Sequence, residues 1–320
     1  MMFVRRFLLL AFVLLFASSL FANDSEQQLL AAGRVDDAIA ALKAKTAANP
    51  ADAESFNLLC RAYFLVSEWD RGISACEHAV ALRPDDSSYH LWLGRIYGEK
   101  ADKSNFFTAA GLAGKVRAEF EKAVQLSPDN VAARSDLAEF YLEAPGIVGG
   151  GRDKAEAQAK TLATMDPAKS HWVVGRIAEK KHDAAEAEKE YRAAVEASHG
   201  SSIAWLNLAF FYRRAQRLDD MEDAVNHAAM AQSNHPEVLM EAAATLITAG
   251  RDFPAAIKLL RRYLSGSTVE EAPAFQAHYL LGTVLEKQGE KQAAAQEYRT
   301  ALTLARGFSR AQEALDRLNR

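Results

Sequence analysis

Two cysteines in 320 residues are too few for a disulfide framework or a four-cysteine zinc site. Nor does charge of one sign dominate. Lys and Arg number 38 against 42 Asp and Glu, a net charge of -4 with an isoelectric point near 6.1. That balance excludes the broad basic footprint that nucleic-acid binding requires. The HExxH, GxSxG and GxxxxGK[ST] strings of zinc proteases, serine hydrolases and nucleotide loops are all missing. The eight histidines, from His78 to His278, show no paired ligand spacing. No strand pattern competes for the fold. What remains is 49% hydrophobic and 25% charged, with a mean hydropathy of -0.16, which is globular composition.

There is one long apolar run. Phe7 to Phe16 reads FLLLAFVLLF behind Arg5 and Arg6, with small Ala17, Ser18 and Ser19 after it. This is the pattern of an export signal over residues 1–22, cut after Ala22 or, alternatively, after Ser19. Phe7 to Ala22 counts 16 residues, short of the ~20 needed to span a bilayer, so a cleaved signal is favoured over a retained anchor. No cysteine near the cut could carry a lipid. Without Arg5 and Arg6 the balance becomes 36 against 42, or -6. The expectation is a periplasmic or secreted protein with no stable membrane insertion after cleavage.

The remaining sequence repeats itself. Pro50 and Pro84 lie 34 residues apart, each closing a segment of one pattern, ALKAKTAANP and ACEHAVALRP. FEKAVQLSP ending at Pro128, YRAAVEASHG from Tyr191 and YRTALTLARG from Tyr298 are further copies. A second helical segment precedes each, with a large–small–aromatic signature such as Leu93-Gly94-Tyr97 or Leu208-Ala209-Tyr212. A period of 20–50 residues signals a solenoid.

These residues resemble the tetratricopeptide repeat, of an exported bacterial type. Its clearest copy here is Trp205, Leu208, Ala209 and Tyr212 with Ala228; Phe56, Leu59, Cys60, Tyr63, Gly72, Cys76, Ala79 and Pro84 make a second. The resemblance implies an all-α, right-handed superhelical solenoid of helix–turn–helix units. About seven repeats and a partial first one are expected over 23–306, with a capping helix over 307–320. Gly94, Ala138, Gly175, Ala209 and Gly282 would let paired helices approach, and aromatics such as Tyr63, Tyr97 and Tyr141 would fill the gaps between units. The hairpins should stack in a line and leave a long surface free.

Two units are overlong. Pro84 to Pro128 spans 44 residues and Pro128 to Pro167 spans 39, ten and five more than the period. The excess falls near 101–115 and 144–151, at turns that a solenoid projects from one edge, so the insertions should be neighbours. The first should lengthen its second helix, capped by Ser104 or Asn105. In the second, Pro145, Ile147 and Val148 are expected to cover Phe106 and Phe107. The alternative is an exposed apolar edge for a partner.

Candidate chemistry is thin. Gly149-Gly150-Gly151 before a helix start offers a weak anion site. Cys60 and Cys76 face each other in one hairpin; export permits a disulfide, but both occupy small apolar positions, which favours buried thiols. In the family, exposed first-helix residues line a concave peptide groove. Here those positions hold Asn57, Arg61, Phe64, Leu91, Arg95, Glu139, Trp172, Arg176, Leu206, Phe210, Arg213 and Arg214. Arg61, Arg95, Trp172, Arg176, Phe210, Arg213 and Arg214 are the candidate partner-binding set, with Phe106, Phe107, Ile147 and Val148 at the insertion edge. The rival reading pairs Arg61, Arg95 and Arg176 with neighbouring carboxylates. The family's two-carboxylate clamp of lysines and asparagines has no match. No catalytic residue, cofactor or metal is expected. The implied role is a non-enzymatic scaffold in the cell envelope that binds a protein or peptide. The alternatives are an anion- or small-ligand-binding accessory, or a structural subunit of an envelope assembly.

Overall fold

Short helices with explicit start and stop residues set the architecture. The computed structural model describes residues 25–318, so the expected signal over 1–22 lies outside the described residues. Among those residues are 17 α-helices and no named strand. Glu26–Ala31 (α1) pairs with Val35–Ala48 (α2), and Ala53–Leu65 (α3) with Trp69–Leu82 (α4). Ser87–Asp102 (α5) pairs with Phe106–Leu126 (α6), and Val131–Glu143 (α7) with Arg152–Leu162 (α8). Pro167–Lys180 (α9) and Ala184–Ala197 (α10) follow, then Ser202–Arg214 (α11) and Leu218–Met230 (α12). Glu237–Ala249 (α13) with Phe253–Leu264 (α14), and Ala274–Lys287 (α15) with Lys291–Leu304 (α16), complete eight hairpins before Ser309–Leu318 (α17).

Most hairpins begin with a residue whose side chain satisfies free amides of the helix start; the two that begin with α13 and α15 start after Pro236 and Pro273 instead. Asp52, Asp86, Asn130, Asp166 and Ser201 accept backbone N–H bonds ahead of α3, α5, α7, α9 and α11. Inside six hairpins the turn carries a left-handed residue, Gly33, Ser67, His182, Gln216, Gly250 or Gly289, with Asp252 a second one beside Gly250. The α5–α6 turn lacks such a residue, and the α7–α8 connection uses Gly149 after a short 3-10 turn, Gly146–Val148. The extra residues of the two overlong units therefore sit where the tight turn has been replaced. Asn105 caps α6 through the Thr108 amide, and α6 runs 21 residues where most partners run 12–14.

Close approach does the packing. A Cβ on Gly94 would stand 2.5 Å from the Phe120 ring, and one on Gly282 would stand 2.5 Å from that of Tyr298. Buried tyrosines then tie successive helices: Tyr97, Tyr141 and Tyr212 each donate to a glutamate of the preceding hairpin's second helix, Glu77, Glu121 and Glu188.

The two ends of this run meet. The α1–α2 turn lies against the start of α15, so that a Cβ on Gly33 would fall 2.7 Å from the Ala274 nitrogen. Phe275, Phe308 and Ala311 share one hydrophobic core with Leu30, Val35 and Leu58. Arg306 donates to Asp36 through its backbone N–H and its Nε, both at 2.9 Å. Arg61 binds Glu270 with both nitrogens of its fork. The hairpins thus stack as expected but do not form an open line. The superhelix returns on itself, with Phe275 and Phe308 of the far end packed into the core of the first two hairpins.

Cys60 and Cys76 form a disulfide between α3 and α4, with a Cα–Cα distance of 5.2 Å. This corrects the buried-thiol expectation. The approach that Gly72 permits at this level of the hairpin holds the two Cα atoms within disulfide reach.

Candidate functional site

Most of the expected concave arginines are already engaged. Arg95 of α5 binds Asp136 of α7 at 2.6 Å. Arg176 of α9 reaches back to Glu143 of α7 at 2.8 Å, and Arg214 of α11 grips Glu179 of α9 at 2.9 and 2.7 Å. Each pair links the first helices of adjacent hairpins. Arg61 makes the same kind of tie across the closure. Burial opposes ionisation of Glu179, but bonds from Arg214 and Tyr191 outweigh it and lower its pKa. At Glu139 burial wins over nearby Arg176 and the pKa rises. The paired reading therefore describes Arg61, Arg95, Arg176 and Arg214.

Three other groove positions are corrected. Asn57, Leu91 and Leu206 are buried, at 2%, 5% and 6% exposure. They point into helix–helix contacts because the inward stripe of a first helix is shared between groove and core. Phe210 and Trp172 are half-buried, with the Lys169 ammonium 4.9 Å from the Trp172 ring. Arg213 differs from the other arginines: its Nε is buried without a partner, and it makes no ion pair.

The insertion edge does not close as expected. Phe106, Phe107 and Ile147 stay exposed, at 75%, 85% and 94%. Phe106 and Phe107 touch edge to face, 5.7 Å apart. Between the start of α6 and the α7–α8 connection runs an apolar cleft of about 280 Å³, walled by Phe106, Ala110, Phe140, Ile147 and Val148. Ile147 and Val148 form the opposite wall and do not lie over the rings. The 3-10 turn sets their position, with the Gly149 amide bonded to Gly146.

The glycine run is a steric requirement. A Cβ on Gly150 would fall 1.8 Å from the Ala144 carbonyl oxygen. Its three amides are spent: Gly149 donates to Gly146, Gly150 to Pro145 and Gly151 to Tyr141. Lys154 donates to the Gly149 carbonyl. The run has no amide left for an anion. Among the described residues, no cluster of three or more His, Cys, Asp or Glu side chains is placed to hold a metal. No described helix is long and apolar enough to cross a membrane.

Sequence reasoning missed Glu270. It sits in the connection 265–273, where the Tyr263 hydroxyl accepts from the Val269 amide at 3.0 Å and donates to the Ala272 carbonyl. That clamp presents Glu270 to Arg61. The available signal was length: residues 236–306 run three longer than two 34-residue periods.

Known proteins agree with this geometry. Two family models, each described as tetratricopeptide repeat, match residues 29–96 and 242–307. No curated protein matches the chain in sequence. Among solved structures, yeast Tom70 superposes with a TM-score of 0.54 at 15% identity, covering 89% of this chain and 58% of its own. A tetratricopeptide repeat protein from Parabacteroides merdae gives 0.44 at 16% identity, over 84% and 99% of the two chains. A thermophilic protein of the same kind from Thermus thermophilus gives 0.48 at 19%, over 58% and 94%. At 15% identity the likeness to Tom70 is one of fold. The repeat signature, the eight hairpins and the two matched segments give the identification: the chain is a tetratricopeptide repeat protein.

Proposed function

We propose that this protein is a non-enzymatic scaffold of the cell envelope that grips an apolar segment of a partner protein at its insertion edge. Protein–protein interaction is the role that tetratricopeptide repeats support, and no catalytic family is indicated. The observation that carries the choice of surface is the exposure of Phe106, Phe107 and Ile147 around an apolar cleft. Large side chains so exposed and so close together mark an interaction surface. An apolar cleft of this kind can take the apolar face of an amphipathic helix, which presents residues spaced three and four apart. The concave face offers a second contact through Arg213 with Phe210 and Trp172, because Arg213 alone among the candidate arginines lacks a carboxylate.

Support for an envelope location comes from the FLLLAFVLLF run behind Arg5 and Arg6 and from the Cys60–Cys76 disulfide, which persists in oxidising compartments. The test is photocrosslinking in intact cells from a reactive phenylalanine analogue at position 107. A partner should be captured from there and lost in Phe106→Asp with Ile147→Asp, while helical circular dichroism is unchanged. Capture that survives both substitutions moves the surface elsewhere; Arg213→Glu then tests the concave face.

A further inference from the structure

The closure creates a second pocket, unrelated to the insertion edge. It has a volume of about 260 Å³ and takes walls from both ends of the superhelix. Phe64 of α3, Trp69 of α4 and Trp92 and Glu99 of α5 come from the first three hairpins; Glu271 and Arg310 come from the far end. Phe64 stands at the centre of the aromatic group, edge to face with Trp69 at 5.8 Å and with Trp92 at 5.7 Å.

The neighbourhood already shows what these rings hold. Trp92 carries the guanidinium groups of Arg61 and Arg95, at 5.1 and 5.0 Å from its centre, and Arg310 lies 4.8 Å from that of Tyr279. A cation over a ring face is attracted by the ring's quadrupole, more strongly where water is excluded. The rings of Phe64 and Trp69 carry no such cation. The charge is also unbalanced. Glu270 is matched by Arg61, whereas the side chains of half-buried Glu99 and exposed Glu271 have neither an ion pair nor a hydrogen bond, so two carboxylates face the one unpaired cation of the wall, Arg310. Burial raises the pKa of Glu99, with Asp102 adding to the shift and Lys103 opposing it, as expected for a half-buried carboxylate lacking a close cation.

We propose that this pocket binds an organic cation, a substituted ammonium head group or the ammonium end of a lysine side chain, against Phe64 and Trp69 and beside Glu99 and Glu271. Its volume lies below the ~300–1,000 Å³ of sites for drug-sized ligands, which fits one head group or one side chain. Because both ends of the chain build the walls, the ligand binds only the closed superhelix. It therefore raises the melting temperature, and the rise continues with the logarithm of ligand concentration above its Kd.

The test uses the purified protein and three probes: choline, its neutral isostere 3,3-dimethyl-1-butanol, and a short peptide carrying trimethyllysine. Choline or the peptide should raise the melting temperature and titrate by calorimetry, with the neutral isostere about tenfold weaker or more. Binding of choline identifies a free ammonium compound as the ligand class, and binding of the peptide alone identifies a side chain of a partner. Glu99→Gln should weaken the active probe by about tenfold without lowering the unliganded melting temperature, because it removes a half-buried charge whose pKa burial raises. No response to choline or peptide overturns the proposal, as does equal affinity for the neutral isostere. The isostere comparison uses the unaltered protein and does not depend on how a variant folds.

Discussion

Arg61 and Glu270 stand 209 positions apart in the chain, and their side chains meet with the Arg61 Nε 2.7 Å from a Glu270 oxygen. Both are largely withdrawn from water, at 21% and 10% side-chain exposure. Burial raises the pKa of Glu270, and Arg61 counters that effect without cancelling it. Removing the cation must therefore cost more than neutralising the acid. Arg61→Ala strands a buried carboxylate and should lower stability by about 2–4 kcal/mol, near the range for broken buried pairs. Glu270→Gln keeps a hydrogen-bond acceptor and should cost only about 1 kcal/mol. Urea denaturation ranks the two variants. Small-angle scattering should show Arg61→Ala increasing the maximum dimension as the ends part. Equal losses with no expansion would mean that the pair does not hold the closure.

Two glycines of one helix separate propensity from packing. Gly94 and Gly98 both lie in α5, where alanine is favoured over glycine by about 1 kcal/mol. A methyl group at position 98 meets nothing within 4 Å, whereas at position 94 it would press the Phe120 ring. Overpacking of that kind costs about 1–3 kcal/mol and exceeds the propensity gain. Gly98→Ala should raise the urea midpoint and Gly94→Ala should lower it. Shifts of the same sign would refute the packing argument.

What could be read from the sequence was what neighbouring residues decide. Helix pairs, the Asn105 cap, and the overlong units at 101–115 and 144–151 follow from local periodicity and local chemistry. The apolar stripe of Phe106 and Phe107 was visible as well. Whether Ile147 covers it depends on how a 3-10 turn aims one side chain, and no periodicity encodes that. Leu91 and Leu206 looked like groove residues because a first helix gives one stripe to both groove and core. The closure left almost no local trace. Arg61 has the same sequence context as Arg95, and only the slightly long connection holding Glu270 sets the far end apart. The disulfide lay between these extremes: the facing positions of Cys60 and Cys76 allowed it, and the distance between their backbones decided it.

The Cys60–Cys76 link spans 16 positions within one hairpin. Closing a loop of that size restricts the unfolded chain by about 3 kcal/mol in the chain-entropy account. Both cysteines are 1% exposed or less, so a reductant must wait for the hairpin to open. Reduction, or Cys60→Ala with Cys76→Ala, should lower stability by about 2–3 kcal/mol and leave the helical content at low denaturant intact. Alkylation of the denatured, unreduced protein should add no label, and alkylation after reduction should add a label at both cysteines. A melt that is the same with and without reductant would remove the disulfide from the stability of this fold.

His90 sets a pH dependence whose sign follows from its partners. Its Nδ1 lies 2.5 Å from a Glu119 oxygen and its Nε2 lies 3.0 Å from the Pro84 carbonyl oxygen. Both neighbours accept hydrogen bonds, so only the doubly protonated ring satisfies both. The bond to Glu119 is the main cause of its raised pKa; burial opposes the shift, and so does Lys122. A folded-state pKa above the unfolded value, about 6.5, means that the folded protein holds this proton more tightly than the unfolded chain. The contribution is then complete below about pH 6.5 and disappears as the pH rises through the folded-state pKa. Urea midpoints should fall with rising pH across that window in the native protein and lose that component of the slope in His90→Gln. Glu119→Gln should also flatten the slope, because the carboxylate provides most of the shift. If His90→Gln keeps the native slope, the proton responsible sits on another group.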